Sequence, residues 1–151
     1  GVPLHGETVS AAQFPDLVPV MAVAMTGASG TSTITDAQRL RIKESDRLAT
    51  VCDFLTILGT DIRQTKDGLV IDKNNDRTVL SGPAAHCPAP PLCGGTVSSH
   101  NDHRIAMAAA VASCRADGPV IITGAEAVKK SYPDFFTDFT KLGGKIEILE
   151  D

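Results

Sequence analysis

Tryptophan is absent from this chain, tyrosine occurs once, and aromatic residues make up 4% of its 151 residues. Nothing here can build the row of stacking faces on which single-stranded nucleic acid is held. An excess of positive charge is also lacking, because 14 Lys and Arg stand against 18 Asp and Glu, a net charge of −4. That argues against non-specific nucleic-acid binding, and basic residues matter here through local placement rather than through a global field. No apolar run approaches the ~20 residues of a membrane span. The run Ile105 to Ala112, for example, stops at Ser113, Cys114, Arg115 and Asp117. The chain reads as soluble and cytoplasmic, with no signal peptide and with neither nucleic acid nor membrane as a partner.

Cysteines are few: Cys52, Cys87, Cys93 and Cys114. Cys52 and Cys114 lie in helical, apolar contexts typical of buried free thiols, which favours a reducing compartment. Cys87 and Cys93 have His86 nearby, but Pro88, Pro90 and Pro91 intervene and the spacing is not that of a zinc knuckle. A proline-rich loop is the expectation there, with no metal site. What the chain does have is 42% hydrophobic residues, enough for a core at this length.

The most telling local feature is Asn101-Asp102-His103-Arg104, set directly before a small apolar run. A helix start presents unpaired N–H groups and the positive end of the helix dipole, and Arg104 there can clamp a phosphate or carboxylate. A second charged knot, Lys43-Glu44-Ser45-Asp46-Arg47, opens another helix-like stretch, and Lys130 stands ahead of a third. Together these read as a site for an anionic substrate.

The chain also repeats itself. A shift of 88 positions brings Ala22-Val23-Ala24 onto Ala110-Val111-Ala112, Ile34-Thr35-Asp36-Ala37 onto Ile122-Thr123-Gly124-Ala125, and Asp46 onto Asp134. Each copy, about 14–80 and 101–150, is expected to begin with a helix (16–27, 103–114) that is apolar almost all round and therefore buried on every side. A β-branched strand follows, Thr31 to Thr35 or Val120 to Thr123. Then comes an amphipathic helix, about 44–58 or 133–142, closing on Leu-Gly. Further strands are expected at Asp61 to Gln64, Gly68 to Ile71 and Thr78 to Leu80, with a turn at Lys66-Asp67-Gly68, and at Lys145 to Leu149. The Pro- and Gly-rich segment 81–99 reads as a surface linker. In this register Asp16 falls beside His103 and Arg104, and Lys43 and Glu44 fall near Lys130. Approximate rotational symmetry would bring these helix entrances together at one end.

Four separated segments carry a family resemblance: Phe14-Pro15-Asp16-Leu17-Val18-Pro19, Arg41-Ile42-Lys43-Glu44-Ser45-Asp46-Arg47-Leu48, Asn101-Asp102-His103-Arg104-Ile105-Ala106-Met107, and Lys130-Ser131-Tyr132-Pro133-Asp134-Phe135-Phe136. In this order they resemble the 5-enolpyruvylshikimate-3-phosphate synthase family. The resemblance implies an α/β fold of repeated βαβαββ-like units with buried helices and outer sheets, three units to a lobe and two lobes to an enzyme. About two of three units of the C-terminal lobe are present, so 1–151 is expected to be a single partial domain. Gly1-Val2-Pro3, without an initiator Met, fits a chain cut from a longer one, whose N-terminal lobe is then missing.

The resemblance implies transfer of the enolpyruvyl group of phosphoenolpyruvate to the 5-hydroxyl of shikimate 3-phosphate, with release of phosphate and no cofactor. It assigns Asp16 as the base contacting the hydroxyl and Lys43 and Glu44 as proton-transfer groups near the reacting carbons, either one as acid or base. Arg47, Arg104 and Lys130 hold the phosphoenolpyruvate anion, with His103 beside it. Apart from the resemblance, Lys43 and Glu44 in a desolvated cleft would have mutually dependent titrations, and Arg47 three residues beyond Glu44 would share its helix face. Arg39 and Arg41 flank a position where some members contact the shikimate ring through Asn. Asp134, His5, His86, His100 and Lys129 read as structural or surface residues. Two alternatives stand beside this reading: the sister enolpyruvyl transferase acting on UDP-N-acetylglucosamine, and a noncatalytic anion-binding half-domain.

Overall fold

Alternation of buried and half-buried side chains along Ser32-Thr33-Ile34-Thr35 makes this segment a strand with one face in the core, and the rest of the first sheet is built on it. The computed structural model of the chain describes residues 4–72 and 92–149. Six strands are described: β1 (Thr8–Ser10), β2 (Ser32–Thr35), β3 (Asp61–Gln64), β4 (Leu69–Asp72), β5 (Gly95–Ser98) and β6 (Val120–Thr123). The helices are α1 (Val18–Met25), α2 (Arg47–Ile57), α3 (His103–Ser113) and α4 (Phe135–Lys141), with 3-10 turns at Pro15–Leu17, Gln38–Ile42 and Ala125–Lys130. One sheet has the order β1-β2-β4-β3, and a second pairs β5 with β6. β1 runs parallel to β2, and β4 pairs antiparallel with both β2 and β3.

The two units match from their first strand to their second helix, β1-α1-β2-α2 against β5-α3-β6-α4. β2 begins at Ser32 and β6 at Val120, 88 positions on. Thr8 pairs with Thr33 across β1 and β2, and Gly95 pairs with Val120 across β5 and β6, both parallel and both spanning 25 positions of chain. Strand β1 therefore starts the first unit upstream of residue 14, and β5 is its counterpart. Residues 95–98 thus belong to a sheet, not to the expected surface linker. Glycine there does not mark a free loop: a Cβ on Gly94 would come within 2.8 Å of the Pro119 carbonyl oxygen, so the residue permits close backbone approach. The rest of the expected linker up to residue 91 lies outside the described residues, as do Thr78 to Leu80, His86 and Cys87.

Helices α1, α2 and α3 pack together, with Val18, Ala22, Val51, Phe54, Leu55, Ile105, Ala108, Ala109 and Ala112 in one core. The small side chains of α3 let its neighbours come close, and seven of its eleven residues are buried. Helix α1 departs from the expectation of burial on all sides, since Val20 keeps 38% of its surface and Ala24 is also exposed. The segment 145–149 forms no strand, contrary to expectation. In the first unit β3 reaches β2 only through β4, and among the described residues no counterpart of β4 lies beside β6. Cys52 is half-buried, but Cys114, at the last turn of α3 where the apolar run gives out, is exposed rather than buried. No helix among the described residues is long and apolar enough to cross a membrane, and no group of three or more His, Cys, Asp or Glu among them could hold a metal ion.

Candidate functional site

Asp46 decides where α2 starts. Its side chain caps the helix by accepting from the Ala49 N–H at 3.1 Å, so the helix opens at Arg47 rather than at the expected residue 44. Lys43, Glu44 and Ser45 therefore lie in the connection before the helix. Arg41 fixes that connection. Its guanidinium donates to Asp46 at 2.9 Å, to the Lys66 carbonyl at 3.1 Å and to the Thr65 carbonyl at 2.6 Å, tying it to the β3–β4 turn. The strand-to-helix loop that carries Lys43 and Glu44 is thus anchored on the first sheet.

The entrance to α3 is built in the same spirit. His100 and Asn101 both take left-handed backbone, with φ of 51° and 58°. That is a conformation non-glycine residues adopt rarely. Ser98 and Ser99 stabilise it by accepting from the His100 and Asn101 N–H groups, each at 3.1 Å. The turn delivers Asp102, fully buried, to the helix start, where it accepts from the Arg104 N–H at 2.9 Å. One of the free N–H groups expected to face a ligand is therefore capped by the protein itself.

Asp102 also joins the two motifs. It accepts from Arg47 Nε at 2.8 Å, from Arg47 Nη2 at 3.2 Å and from the Ser45 hydroxyl at 3.0 Å. Arg47 is 2% exposed at its side chain, and its two outer nitrogens reach Glu44 at 2.6 Å and Asp16 at 2.8 Å. One guanidinium is thus shared by three carboxylates from three parts of the chain. Glu44 does not share a helix face with Arg47, yet the pair forms because the preceding loop folds back. Burial alone would lower the Arg47 pKa, but the hydrogen bonds and charges of Asp102, Glu44 and Asp16 win, and it is raised. Burial likewise pushes the Asp102 carboxyl up, and the bonds from Arg47, the Arg104 backbone and Ser45 hold it below the usual carboxylate range.

Asp16, in the 3-10 turn before α1, meets three cations. Beyond Arg47, Lys43 Nζ lies 3.6 Å away and Arg104 Nη2 3.7 Å away. Lys43 therefore pairs with Asp16 rather than with its sequence neighbour Glu44. Burial raises the Asp16 carboxyl, but Lys43, Arg47 and Arg104 outweigh it and hold it low. His103 is almost wholly buried, its Nδ1 4.0 Å from Glu44 Oε1 and without a hydrogen bond. Lys130 donates to the Asn101 carbonyl at 2.5 Å, which puts its ammonium beside the α3 entrance.

Asp16, Lys43, Glu44, Arg47, His103 and Arg104 form one connected cluster, and Lys130 reaches the turn that feeds it. Asp102 and Ser45 are the members that sequence reasoning assigned no role. A carboxylate immediately before a helix and an Arg fixed in the other motif were the only signals for Asp102. His5 bonds Ser29 at 2.9 Å, and Asp134 stands at the start of α4. His100 lies in a separate shallow concavity with Asp53, Phe54 and Ile57.

The chain is similar to known proteins in both sequence and fold. The family model of EPSP synthase (3-phosphoshikimate 1-carboxyvinyltransferase) matches residues 1–139. The 3-phosphoshikimate 1-carboxyvinyltransferase of Clostridium novyi (strain NT) is 46% identical over 143 residues, which is 95% of this chain and 29% of the relative. A solved structure of EPSP synthase from Acinetobacter baumannii superposes with a TM-score of 0.80 at 34% identity, over 98% of this chain and 32% of that one. The enolpyruvyl transferase NikO from Streptomyces tendae, at 24% identity, TM-score 0.70 and 96% and 29% coverage, shares the fold. The chain spans about three tenths of the length of the curated relatives it matches. Its α/β fold is that of part of an enolpyruvyl transferase lobe, and with all four motif segments inside the matched residues the chain belongs to the EPSP synthase family.

Proposed function

We propose that this chain supplies one wall of the active site of a cytoplasmic 3-phosphoshikimate 1-carboxyvinyltransferase, as a partial domain of two related units that works against an N-terminal lobe. The observation that carries the reading is the meeting of Asp16, Lys43, Glu44, Arg47, His103 and Arg104, from both units, in one cationic-and-acidic cluster. Phosphoenolpyruvate and shikimate 3-phosphate are the substrates, and no cofactor takes part because the leaving phosphate comes with phosphoenolpyruvate.

In this reading Arg104 and Lys130 hold the phosphoenolpyruvate anion, with His103 beside it, while Arg47, expected to hold that anion too, is buried among Asp102, Glu44 and Asp16 and instead fixes the cluster. Asp16 accepts the proton of the 5-hydroxyl as that oxygen bonds to C2 of phosphoenolpyruvate, and Lys43 or Glu44 delivers a proton to C3. The tetrahedral adduct then loses the C3 proton as the bond from C2 to the phosphate oxygen breaks. Carboxylates and cations side by side suit a reaction that needs both proton transfer and anion stabilisation.

Steady-state kinetics of the longer protein test the assignment. Lys43→Ala and Glu44→Ala should lower kcat by about a hundredfold or more, the scale of a lost proton-transfer group. Arg104→Ala should act mainly through a raised KM for phosphoenolpyruvate. The isolated chain should show negligible turnover. Unchanged kinetics in all three variants, or robust product formation by the chain alone, contradicts the reading.

A further inference from the structure

The loop that carries Lys43 and Glu44 has almost nothing apolar to hold it. Leu40 and Leu48 on either side are fully buried, but the one aliphatic side chain between them, Ile42, keeps 85% of its surface. Polar bonds hold the loop instead, and Arg41 supplies four of them. Its Nη1 donates to the Asp46 carboxylate at 2.9 Å and to Gln64 Oε1 at 3.0 Å, while Nε and Nη2 donate to the Lys66 and Thr65 carbonyls. The bond to Asp46 joins the two ends of the loop, and the other three seat it on the β3–β4 turn. That turn is itself fixed to the chain entering the loop, since the Asp67 carbonyl accepts from the Ala37 N–H at 2.7 Å and Gly68 lies against the Ile34 carbonyl.

From this arrangement we infer that Arg41 is a positioning residue of the reaction: by closing residues 41–46 on Asp46 and on the β3–β4 turn, it holds Lys43 and Glu44 where they transfer protons, without itself touching substrate. Only a guanidinium suits the place, because its planar fork of donors reaches a carboxylate, an amide and two carbonyls at once, which a lysine ammonium on a flexible stem does not. Proton transfer depends steeply on placement, so a loosened loop costs turnover. Binding depends on it far less, because Arg104 and Lys130, which hold phosphoenolpyruvate in the proposed reading, stand at the α3 entrance and not on this loop. The role deepens the proposed function and rests on its reading of Lys43 and Glu44 as the proton-transfer groups.

Steady-state kinetics of the longer protein test it, with Arg41→Lys, Asp46→Asn, the double variant, and Arg63→Lys as a control; circular dichroism shows whether each is folded. Asparagine still caps a helix, so Asp46→Asn removes the ion pair with Arg41 while keeping the start of α2. Arg63 pairs with Asp72 within the same hairpin, and its variant should keep wild-type kinetics. Arg41→Lys and Asp46→Asn should each lower kcat by about ten- to a hundredfold, the scale of a misplacement of about 1 Å, and leave KM for phosphoenolpyruvate within about twofold. The double variant should fall no further than Arg41→Lys alone, because both substitutions open the same closure. If Arg41→Lys does not fold, Asp46→Asn decides by the same readouts. Wild-type kcat in the folded variants, a raised KM with kcat unmoved, additive losses in the double variant, or an equal loss in Arg63→Lys overturns the inference. Lys43→Ala and Glu44→Ala in the same assay separate the two levels. Losses there beside wild-type kcat in Arg41→Lys and Asp46→Asn overturn the positioning role alone, whereas wild-type kinetics in Lys43→Ala and Glu44→Ala overturn the proton-transfer reading and the positioning role with it.

Discussion

At the residue scale the arginines divide the work. Arg47 is buried and its donors are taken by Asp102, Glu44 and Asp16, so it organises the cluster; Arg104 and Lys43 are half-exposed and available. The pairing of Arg47 with Asp102 is inaccessible to water on both sides, and breaking such a pair by removing one partner leaves an uncompensated charge. Asp102→Asn should therefore destabilise the fold by about 3 kcal/mol, measured by urea denaturation; a loss below about 1 kcal/mol would contradict the geometry. Acid sharpens this. Asp102 and Asp16 both titrate below the usual carboxylate range when folded, so the unfolded chain takes up protons first as pH falls. Their stabilisation is fully present above about pH 5 and is lost as pH drops below about 4 through the folded values. Wild-type stability should accordingly decline steeply in that window, and more steeply than that of the Asp102→Asn variant. The place of His103 and Arg104 in the charged cluster was legible from their position at a helix start, but that of Asp102 was not, because it depends on Arg47 being 55 positions away in sequence and 2.8 Å away in space.

At the element scale, turns rather than helix lengths position the site. Gly68 is the clearest case: a Cβ there would lie 1.8 Å from the Ile34 carbonyl oxygen, so β2 and β4 can pair only with glycine at this place. Gly30 also has positive φ, 83°, but a Cβ there meets nothing. Gly68→Ala should lower the thermal midpoint well beyond the effect of Gly30→Ala, whose cost is the roughly 1 kcal/mol of left-handed backbone. Equal effects would show that the β2–β4 approach is looser than described. The same contrast explains what the sequence revealed of the elements. Helices α1 and α3 were legible as runs apolar almost all round, strands β2, β3, β4 and β6 as short extended or β-branched segments between turns, and the Leu-Gly closures hold, with Gly59 and Gly143 at φ of 83° and 99°. β5 was missed because Gly94 and Gly95 resemble linker glycines until Pro119 and Ile57 are seen against them. The α2 start was misplaced because Asp46 reads equally well as a helix residue or as a cap.

At the scale of the whole molecule, the account rests on two related units placing their helix entrances together. Both put a left-handed residue just after the second strand, Asp36 at φ 58° and Gly124 at φ 70°, before the 3-10 turn that leads to Lys43 or Lys130. The sequence repeat made that convergence an expectation; the ion pairs between Asp16 and Arg104 and between Arg47 and Asp102 are its physical form. In the proposed reading a chain covering about three tenths of its relatives carries one side of a cleft, and anion binding is the property expected of it on its own. Titration of the isotope-labelled chain with inorganic phosphate, followed residue by residue by nuclear magnetic resonance, tests this most directly. The account predicts that signals of Asp16, Lys43, Glu44, Arg104 and Lys130 move together with one dissociation constant. Movement confined to one unit, separate constants for the two motifs, or shifts centred on the His100 and Asp53 concavity would contradict it.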